Sequence, residues 1–495
     1  MFFLTGNLMN MKKYFLSLIV FYSLISHVQC QEEGLNCSTV IVGKAASATG
    51  SVIIAHNEDD GGNQIVNFYK IPGKDNRKGE TIRFKEGAVE PKPSHSYTCL
   101  WFEMPGQDFA DTYINENGVL VTSNACTSKE LYGEITDGGI GYELRMLIAE
   151  RALSARTGVE LAGYLVEKWG YTGSGRTYTI ADKNEAWLFA VVRGKNWVAK
   201  RVPDDHVAFI PNYYTITDID TTDTENCLAS KDLIKYAIRR GWYNPETDGR
   251  FNFSKVYSAE RTLASMANIG RMWMAVSTLS GKQYRKEDLF PFSFPPAKKQ
   301  ALSDLEALLA NHYEGTDLDD SQNYTKGSPH SNKTQNICAS HQQLSFIAEL
   351  RQGLPFDIGG RIWVAPRRGC VNAYMPIYFG VTVFPQGMYL DTPEKAYEMH
   401  FKRDESIYDR SKPLLWWNFV SVAEYTDEDF GNRYPERIKI KNNLRQEYLK
   451  MAGRLEKDYL PLYKKQPQKA ESLINDFTRQ VVEMAVSGNN KYLKR

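Results

Sequence analysis

The chain has 495 residues, with 60 Lys and Arg against 59 Asp and Glu. Because the net charge is close to zero, the composition gives no reason to expect a nucleic acid or an acidic membrane surface as a partner. Hydrophobic residues make up 42% of the chain, enough for a large core, and no linker rich in Pro, Ser or Gly separates domains.

The beginning of the chain has the pattern of an export signal. Lys12 and Lys13 form a small cationic cluster, and an apolar run follows over residues 14–28. This run is shorter than the ~20 apolar residues that a membrane span needs, and a charged stretch before an apolar one is typical of a signal peptide. We therefore predict initiation at Met11, cleavage after Cys30, and export to the periplasm or the medium. The alternative is an uncleaved N-terminal anchor.

Residues 1–30 are thus a predicted signal peptide, and the short polar stretch 31–36 suits a propeptide. Cleavage of the Asn36–Cys37 bond by attack of the thiol on the preceding carbonyl would make Cys37 the first residue. A thiol has a pKa of about 8.5 and an α-amine one of about 7.7–8.0, so the amine can accept the thiol proton near neutral pH. Cys37 is therefore a candidate N-terminal nucleophile, although a free cysteine is more often a core residue.

The first half of the chain is rich in strand patterns. Residues 38–43 and 51–56 are β-branched runs joined by a loop of small residues, which predicts a hairpin. Residues 115–118, Asn-Glu-Asn-Gly, predict another tight turn. Further strands are predicted at 64–70, 95–103, 112–115, 119–123, 177–181, 186–193, 196–200 and 206–211.

Helical periodicity covers residues 141–168, and shorter helices are predicted at 227–240, 257–268 and 299–312. The polar stretch 316–336 predicts a surface loop. Strands resume at 343–350, 361–365 and 375–383, and the chain is charged and helical from about 434 to its end. Because strands and helices come in blocks rather than in strict alternation, the order favours layers of antiparallel sheet covered by helices.

The cysteines and histidines give no metal pattern. The seven cysteines are widely spaced, so no disulfide framework can be derived from them. No Cys-x-x-Cys pair and no His-x-x-x-His spacing occurs, and we therefore predict no dedicated zinc site. The chain also lacks glycine motifs that cradle phosphates, so we expect no nucleotide cofactor. The seven positions are Cys30, Cys37, Cys99, Cys126, Cys227, Cys338 and Cys370.

An acidic string follows the second predicted strand, at residues 56–60, His-Asn-Glu-Asp-Asp. A hairpin turn brings the far end of that strand alongside Cys37. Asp59 is then a candidate to accept a hydrogen bond from the α-amine or to hold the amine of an incoming substrate. Residue type alone favours the alternative, a solvated turn.

Four segments stand in a fixed order between Cys37 and about residue 385. They are Cys-Ser-Thr-Val-Ile-Val-Gly-Lys (37–44) followed by His-Asn-Glu-Asp (56–59), Asn-Glu-Asn-Gly-Val (115–119) before Ser-Asn-Ala (123–125), Arg-Val-Pro-Asp-Asp-His-Val-Ala (201–208), and Ser-His-Gln (340–342) before Arg-Ile-Trp-Val-Ala (361–365). Together they resemble peptidase family C69. That family comprises dipeptidases among the N-terminal-nucleophile hydrolases, and its relatives include penicillin V acylase and bile salt hydrolase.

The resemblance implies a fold and a set of site residues. The fold is an α+β, four-layer αββα sandwich, two antiparallel sheets between helix layers, over residues 37–430, with a helical extension at 431–495. Cys37 matches the nucleophile, and Asp59 matches an aspartate near its amine. Asn124 and Asn212 match two asparagines at the oxyanion site. Arg271 resembles the active-site arginine of the acylase relatives.

One position departs from the family pattern: His56 stands where the family usually has arginine. A fixed cation near the sulfur favours the thiolate, and a neutral imidazole does not. Three explanations stay open at this point. His56 titrates and supplies the charge at lower pH, Arg271 supplies it, or the substrate preference has changed.

The implied activity is hydrolysis of dipeptides with a free amino terminus by a cysteine-type dipeptidase, without a metal or organic cofactor. One alternative is an acylase of the same fold that acts on N-acyl substrates. Another is a binding protein that has lost catalysis through the change at His56. We expect no membrane span after signal removal, and the final helices predict either an amphipathic cover or a contact in a homo-oligomer.

Overall fold

The structure is a computed structural model that describes residues 36–59, 65–106, 110–402 and 405–494. The predicted signal peptide and residues 31–35 of the predicted propeptide lie outside the described residues. In the described ranges, none of the helices has both the length and the apolar composition needed to cross a bilayer.

Within the described residues, eighteen strands form four antiparallel sheets, two of them large. The strands are β1 Ser38–Val42, β2 Val52–Asp59, β3 Asn67–Ile71, β4 Lys74–Asp75, β5 Thr81–Arg83, β6 Val89–Pro91, β7 His95–Ser96, β8 Cys99–Glu103, β9 Thr112–Asn115, β10 Leu120–Ala125, β11 Tyr171–Ala181, β12 Ala186–Gly194, β13 Trp197–Val202, β14 Val207–Ile210, β15 Cys227–Ala229, β16 Gln342–Leu350, β17 Gly360–Pro366 and β18 Met375–Tyr378.

The helices of the described residues fall between and after these strands. They are α1 Glu143–Arg151, α2 Ala155–Trp169, α3 Leu233–Arg239, α4 Phe253–Tyr257, α5 Glu260–Leu263, α6 Met266–Ser280, α7 Leu302–Leu309, α8 Phe356–Gly359, α9 Pro393–Met399, α10 Trp416–Glu428, α11 Phe430–Tyr459 and α12 Pro467–Leu493. Two short 3-10 helices span Pro329–Ser331 and Glu405–Tyr408.

The first large sheet has the order β14-β1-β2-β16-β17-β18, and the second has the order β15-β13-β12-β11-β10-β9-β8-β3. The sheets face each other where β1 contacts β10. Helices α1 and α2 pack on the outer face of the second sheet, while α6, α7 and α10–α12 pack on the first. The predicted four-layer αββα sandwich is therefore confirmed.

Burial on both faces explains the unbroken apolar runs 40–42 in β1 and 52–55 in β2. Every residue of both strands is buried, because one face of their sheet packs on the second sheet and the other on helices. One hydrophobic core fills these two interfaces of the first sheet, and a second core lies between the second sheet and helices α1 and α2.

Several predicted elements differ from the structure. The predicted helix at 141–168 is two helices, because Ser154 caps the second one by accepting a hydrogen bond from the backbone nitrogen of Thr157 at 3.2 Å. The predicted helix at 227–240 begins as strand β15. The helix predicted at 257–268 is broken into short pieces, and α6, which follows them, was not predicted.

The stretch 316–336 is only partly the surface loop that its composition predicted. Ser321, Pro329 and Asn336 are buried within it. The strand predicted at 375–383 ends at Tyr378. The C-terminal helices pack on β17 and β18, so they complete the outer layer of the first sheet.

Candidate active site

The pairing of β1 determines the neighbours of Cys37, which immediately precedes that strand. Strand β1 lies between β2 and β14 and is antiparallel to both. If the two registers are extended to the residue before β1, Cys37 lies opposite Glu58 on one side and opposite Asn212 on the other. Residues distant in sequence therefore meet at the start of one central strand.

The thiol of Cys37 is enclosed, with 2% of the residue exposed. It donates a hydrogen bond to Oε1 of Glu58 at 3.1 Å, and its sulfur lies 3.5 Å from the carbonyl oxygen of Asp59. Burial, and next the negative charge of Glu58, raise the pKa of the Cys37 thiol well above its usual value. With its nitrogen still in the Asn36–Cys37 peptide bond, the sulfur is therefore held as a thiol.

Asp59 contacts both sides of the Asn36–Cys37 bond through its backbone. Its carbonyl oxygen accepts from the backbone nitrogen of Asn36 at 3.2 Å as well as from the thiol. Its buried carboxylate adds a smaller increase to the pKa of the thiol. A role of this carboxylate at the α-amine of a processed chain stays a prediction.

His56 is fully buried and lies between Thr39 and Glu58. Its Nδ1 is 2.7 Å from the Thr39 hydroxyl, and its Nε2 is 3.0 Å from Oε2 of Glu58. The ring also packs against Phe346, with 5.4 Å between the centroids. His56 therefore reaches Cys37 through the carboxylate of Glu58.

The hydrogen bonds around Thr39 determine which nitrogen of the His56 ring carries a proton. The side-chain nitrogen of Asn124 donates to the carbonyl of Ile210 at 3.0 Å, which leaves its Oδ1 facing Thr39. The Thr39 hydroxyl donates to that oxygen at 2.5 Å, so it must accept from Nδ1 of His56. The contact between Nε2 and Oε2 of Glu58 then requires one further proton, which is shared between the ring and the carboxylate.

Asn124 also joins the two sheets. It lies on β10 in the second sheet, while Thr39 and Ile210 lie on β1 and β14 in the first. Its side chain is fully buried. The predicted oxyanion residue is therefore also a bridge that fixes the second sheet against the start of the first.

Arg271, on α6, is fully buried and contacts the backbone of the candidate nucleophile. Its Nη1 donates to the carbonyl oxygen of Cys37 and, at 3.2 Å, to the hydroxyl of Ser38. Burial is the main effect on its guanidinium and lowers its pKa. The structure thus provides a cation beside Cys37 that is separate from His56.

The other guanidinium nitrogen of Arg271 orients Asn212. Nη2 donates to Oδ1 of Asn212 at 3.0 Å and to Oδ1 of Asn268 at 2.8 Å. The side-chain nitrogen of Asn212 then donates to the carbonyl of Ala125 at 3.0 Å, immediately after Asn124. Each side-chain amide nitrogen has two hydrogens, so one donor of Asn212 is left for a further acceptor.

The structure brings all six predicted site residues around the start of β1, where they lie within one network of contacts. Sequence reasoning missed Glu58, Thr39 and Asn268. Glu58 and Thr39 could have been predicted, because side chains of cross-strand partners lie on the same face of a sheet. The hairpin register pairs Thr39 with His56, and extended by one residue it sets Glu58 level with Cys37. Asn268 had none, because its place depends on how α6 packs.

The model of peptidase family C69 matches residues 36–432 of the chain. A probable dipeptidase of Latilactobacillus sakei is 26% identical over 435 residues, which cover 80% of this chain and 88% of that protein. Dipeptidase A of Lactobacillus helveticus is 27% identical over 369 residues, which cover 71% of this chain and 76% of that protein.

Two solved structures are distantly similar. Penicillin V acylase from Agrobacterium tumefaciens aligns with a TM-score of 0.34 at 11% identity, covering 70% of this chain and 87% of that one. Conjugated bile acid hydrolase from Clostridium perfringens aligns with a TM-score of 0.27 at 11% identity, covering 69% and 92%.

Proposed function

Since the chain belongs to peptidase family C69, we propose that it is a cysteine-dependent dipeptidase whose nucleophile is Cys37. The observation that carries the proposal is the convergence of Glu58 and Arg271 on Cys37, with Arg271 also bonded to Asn212, inside the matched region 36–432. Relatives in two lactobacilli bear the description dipeptidase, which supports the choice of substrate class.

The proposal includes self-processing. The thiol of Cys37 adds to the carbonyl carbon of Asn36, and the peptide nitrogen leaves with a proton, which gives a thioester and a free α-amine. Water then hydrolyses the thioester, so that Asn36 ends in a carboxylate and the thiol is restored. The hydrogen bond from the thiol to Glu58 supports this step, because it provides an acceptor for the thiol proton.

The same atoms serve in turnover. The α-amine takes the thiol proton, and the sulfur attacks the scissile carbonyl of the dipeptide. Asn212 and the backbone near Asn124 donate hydrogen bonds to the oxyanion. The α-ammonium gives its proton to the leaving amine, and water, deprotonated by the α-amine, then releases the acyl group from the sulfur.

Buried acids beside Cys37 fit a substrate with a free amino group. Glu58 and Asp59 are both buried, and a charged amine brought to them would gain strong charge-assisted hydrogen bonds. We propose that one of these carboxylates binds the amino terminus of the dipeptide. An acylase that acts on N-acyl substrates would have no use for such an anchor.

We also propose that the protein is exported, on the pattern of residues 12–28. N-terminal sequencing and intact mass of the exported protein test export and processing together. The expected mature chain begins at Cys37. A chain that stably begins at Gln31 would contradict the proposed nucleophile.

Activity is tested on a panel of dipeptides and a matched panel of their N-acyl forms. The expected result is turnover of free dipeptides only. Cys37→Ala should abolish processing and hydrolysis, while Cys126→Ala, which removes a buried thiol in a similar local sequence, should retain both. Preference for the N-acyl panel would indicate an acylase, and hydrolysis by Cys37→Ala would exclude Cys37 from the mechanism.

A further inference from the structure

Four metal-ligating side chains meet on the helical side of the first sheet. His312, His330, Cys338 and Cys370 place one ligand atom each within 4.8 Å of the others. Nε2 of His330 lies 3.8 Å from the sulfur of Cys338 and 3.7 Å from that of Cys370. In a tetrahedral zinc site, Zn–S bonds of about 2.3 Å and Zn–N bonds of about 2.05 Å place sulfur and nitrogen about 3.6 Å apart.

Both histidines are oriented by carboxylates. Nδ1 of His330 lies 2.7 Å from Asp427, and Nδ1 of His312 lies 3.1 Å from Glu314. In each ring the proton on Nδ1 is thereby directed to the carboxylate, which leaves the lone pair of Nε2 for the cluster. Nε2 of His312 is buried and has no nitrogen or oxygen partner among the described residues.

Two basic side chains, Lys441 and Arg368, lie near the two cysteines. Lys441 donates to the carbonyl oxygens of Gly369 and Cys370, and Arg368 is paired with Asp427. Nearby cations favour the thiolate form, which is the form that binds metal. Both cysteines are fully buried, so the ligands are enclosed by protein.

We propose that His312, His330, Cys338 and Cys370 bind one Zn²⁺ ion in a closed, structural site. Two sulfur and two nitrogen ligands in a tetrahedral arrangement are typical of zinc. Four protein ligands leave no open coordination position for a substrate, so the ion does not take part in hydrolysis. The proposal is independent of the proposed peptidase function, and it contradicts the prediction from sequence that a zinc site is absent.

The site would stabilise a long irregular segment. Residues 310–341, all of which are described, contain the 3-10 helix Pro329–Ser331 as their one regular element. Segments of this length without helices or strands are uncommon inside a compact domain. Three of the ligands lie in the segment, and Cys370 lies in the loop after β17. Zinc would therefore fasten the segment to the first sheet.

This segment supports the strand that carries His56 and Glu58. The side chain of Asn57, between them on β2, donates to the carbonyl of Leu309 at 2.9 Å and to that of Ile337 at 2.8 Å. Ile337 directly precedes a proposed ligand. Loss of the metal is therefore expected to loosen the support behind the candidate active site.

A disulfide between Cys338 and Cys370 is the competing arrangement, since export would expose the chain to an oxidising compartment. A disulfide uses only the two cysteines, and it provides no ligand for the Nε2 atoms with which both histidines face the cluster. The arrangement of the two carboxylate–histidine pairs favours the metal.

The test uses the full chain, purified under reducing conditions without chelator. Elemental analysis should find close to one zinc per chain, and replacement of zinc by Co²⁺ should give the visible absorption of tetrahedral cobalt–thiolate ligation. Cys370→Ser and His312→Gln should lose the metal. Cys99→Ser and His341→Gln, which lie outside the cluster, should keep it.

The wild-type measurement decides the question even if a ligand variant does not fold. Absence of zinc together with failure to take up Co²⁺ would overturn the proposal. Peptide mapping of unreduced protein that finds Cys338 linked to Cys370 would overturn it too. Stoichiometric iron in place of zinc would overturn the assignment of the metal.

Discussion

The carboxylate of Glu58 lies across the β1–β2 ladder from Cys37, and its Oε1 accepts the thiol hydrogen bond at 3.1 Å. Its other oxygen lies 3.0 Å from Nε2 of His56. One carboxylate thus joins the candidate nucleophile to His56. Burial and the charge of Glu58 make Cys37 harder to ionise, and His56 contacts the same carboxylate from its other side.

Glu58→Gln is expected to make the thiol of Cys37 more acidic in the uncleaved chain. Burial and the negative charge of Glu58 both raise the pKa of the thiol, so removal of the charge lowers it. The midpoint of alkylation against pH should move down by about 1 pH unit or more. Mass spectrometry can follow alkylation of the chain in which the Asn36–Cys37 bond is intact.

The matched control for this variant is Glu116→Gln, on the exposed turn after β9. It should leave the alkylation curve of Cys37 unchanged. A Glu58→Gln curve at the wild-type position would mean that burial alone sets the pKa of the thiol.

His56→Arg is expected to keep kcat/KM within about 3-fold of the wild type, whereas His56→Gln should reduce it 10-fold or more, a loss of about 1.4 kcal/mol. Arginine presents a hydrogen-bond donor to Glu58 that is always protonated, whereas the neutral amide of glutamine cannot carry the proton that the ring shares with that carboxylate. Steady-state kinetics on a dipeptide measure the two variants, with thermal unfolding to show that both fold. Equal activity of His56→Gln and wild type would show that the proton at this position has no catalytic effect.

Arg271→Lys is expected to lower kcat/KM about 10- to 100-fold, or about 1.4–2.8 kcal/mol. The two terminal nitrogens of the planar guanidinium contact Cys37 and Asn212 separately. A lysine has a single ammonium nitrogen and cannot make both contacts in the same geometry. The control is Arg285→Lys, whose side chain is 79% exposed and pairs with Asp288. Full activity in Arg271→Lys would mean that charge alone suffices at this position.

Local patterns predicted the strands around Cys37 well, because β-branched runs and short turns are local signals. The hairpin of β1 and β2 and the position of Asp59 at its end followed from them. The same pattern could have predicted Glu58, since the register of the hairpin, extended by one residue, sets it level with Cys37.

Other parts of the site had no local signal. The helix that carries Arg271 was not predicted, because α6 follows two short helices that interrupt the helical periodicity. The four proposed zinc ligands are spaced singly along the chain, so no motif marks them. Their proximity arises from the path of residues 310–341 over the first sheet, which is a property of the tertiary fold.

Val481→Asp is expected to destabilise the whole protein by about 4 kcal/mol or more, because it buries an unpaired charge. Val481 is fully buried on α12 in the same core as β18, and its carbonyl accepts from the hydroxyl of Tyr448 on α11 at 3.2 Å. The neighbouring Gln480 is exposed, so Gln480→Asp adds the same charge in solvent and should leave the free energy of unfolding nearly unchanged. Thermal unfolding followed by circular dichroism should show a large decrease in the midpoint for Val481→Asp alone. If both variants unfold like the wild type, α12 is not part of the hydrophobic core, and the C-terminal helices are dispensable for the fold.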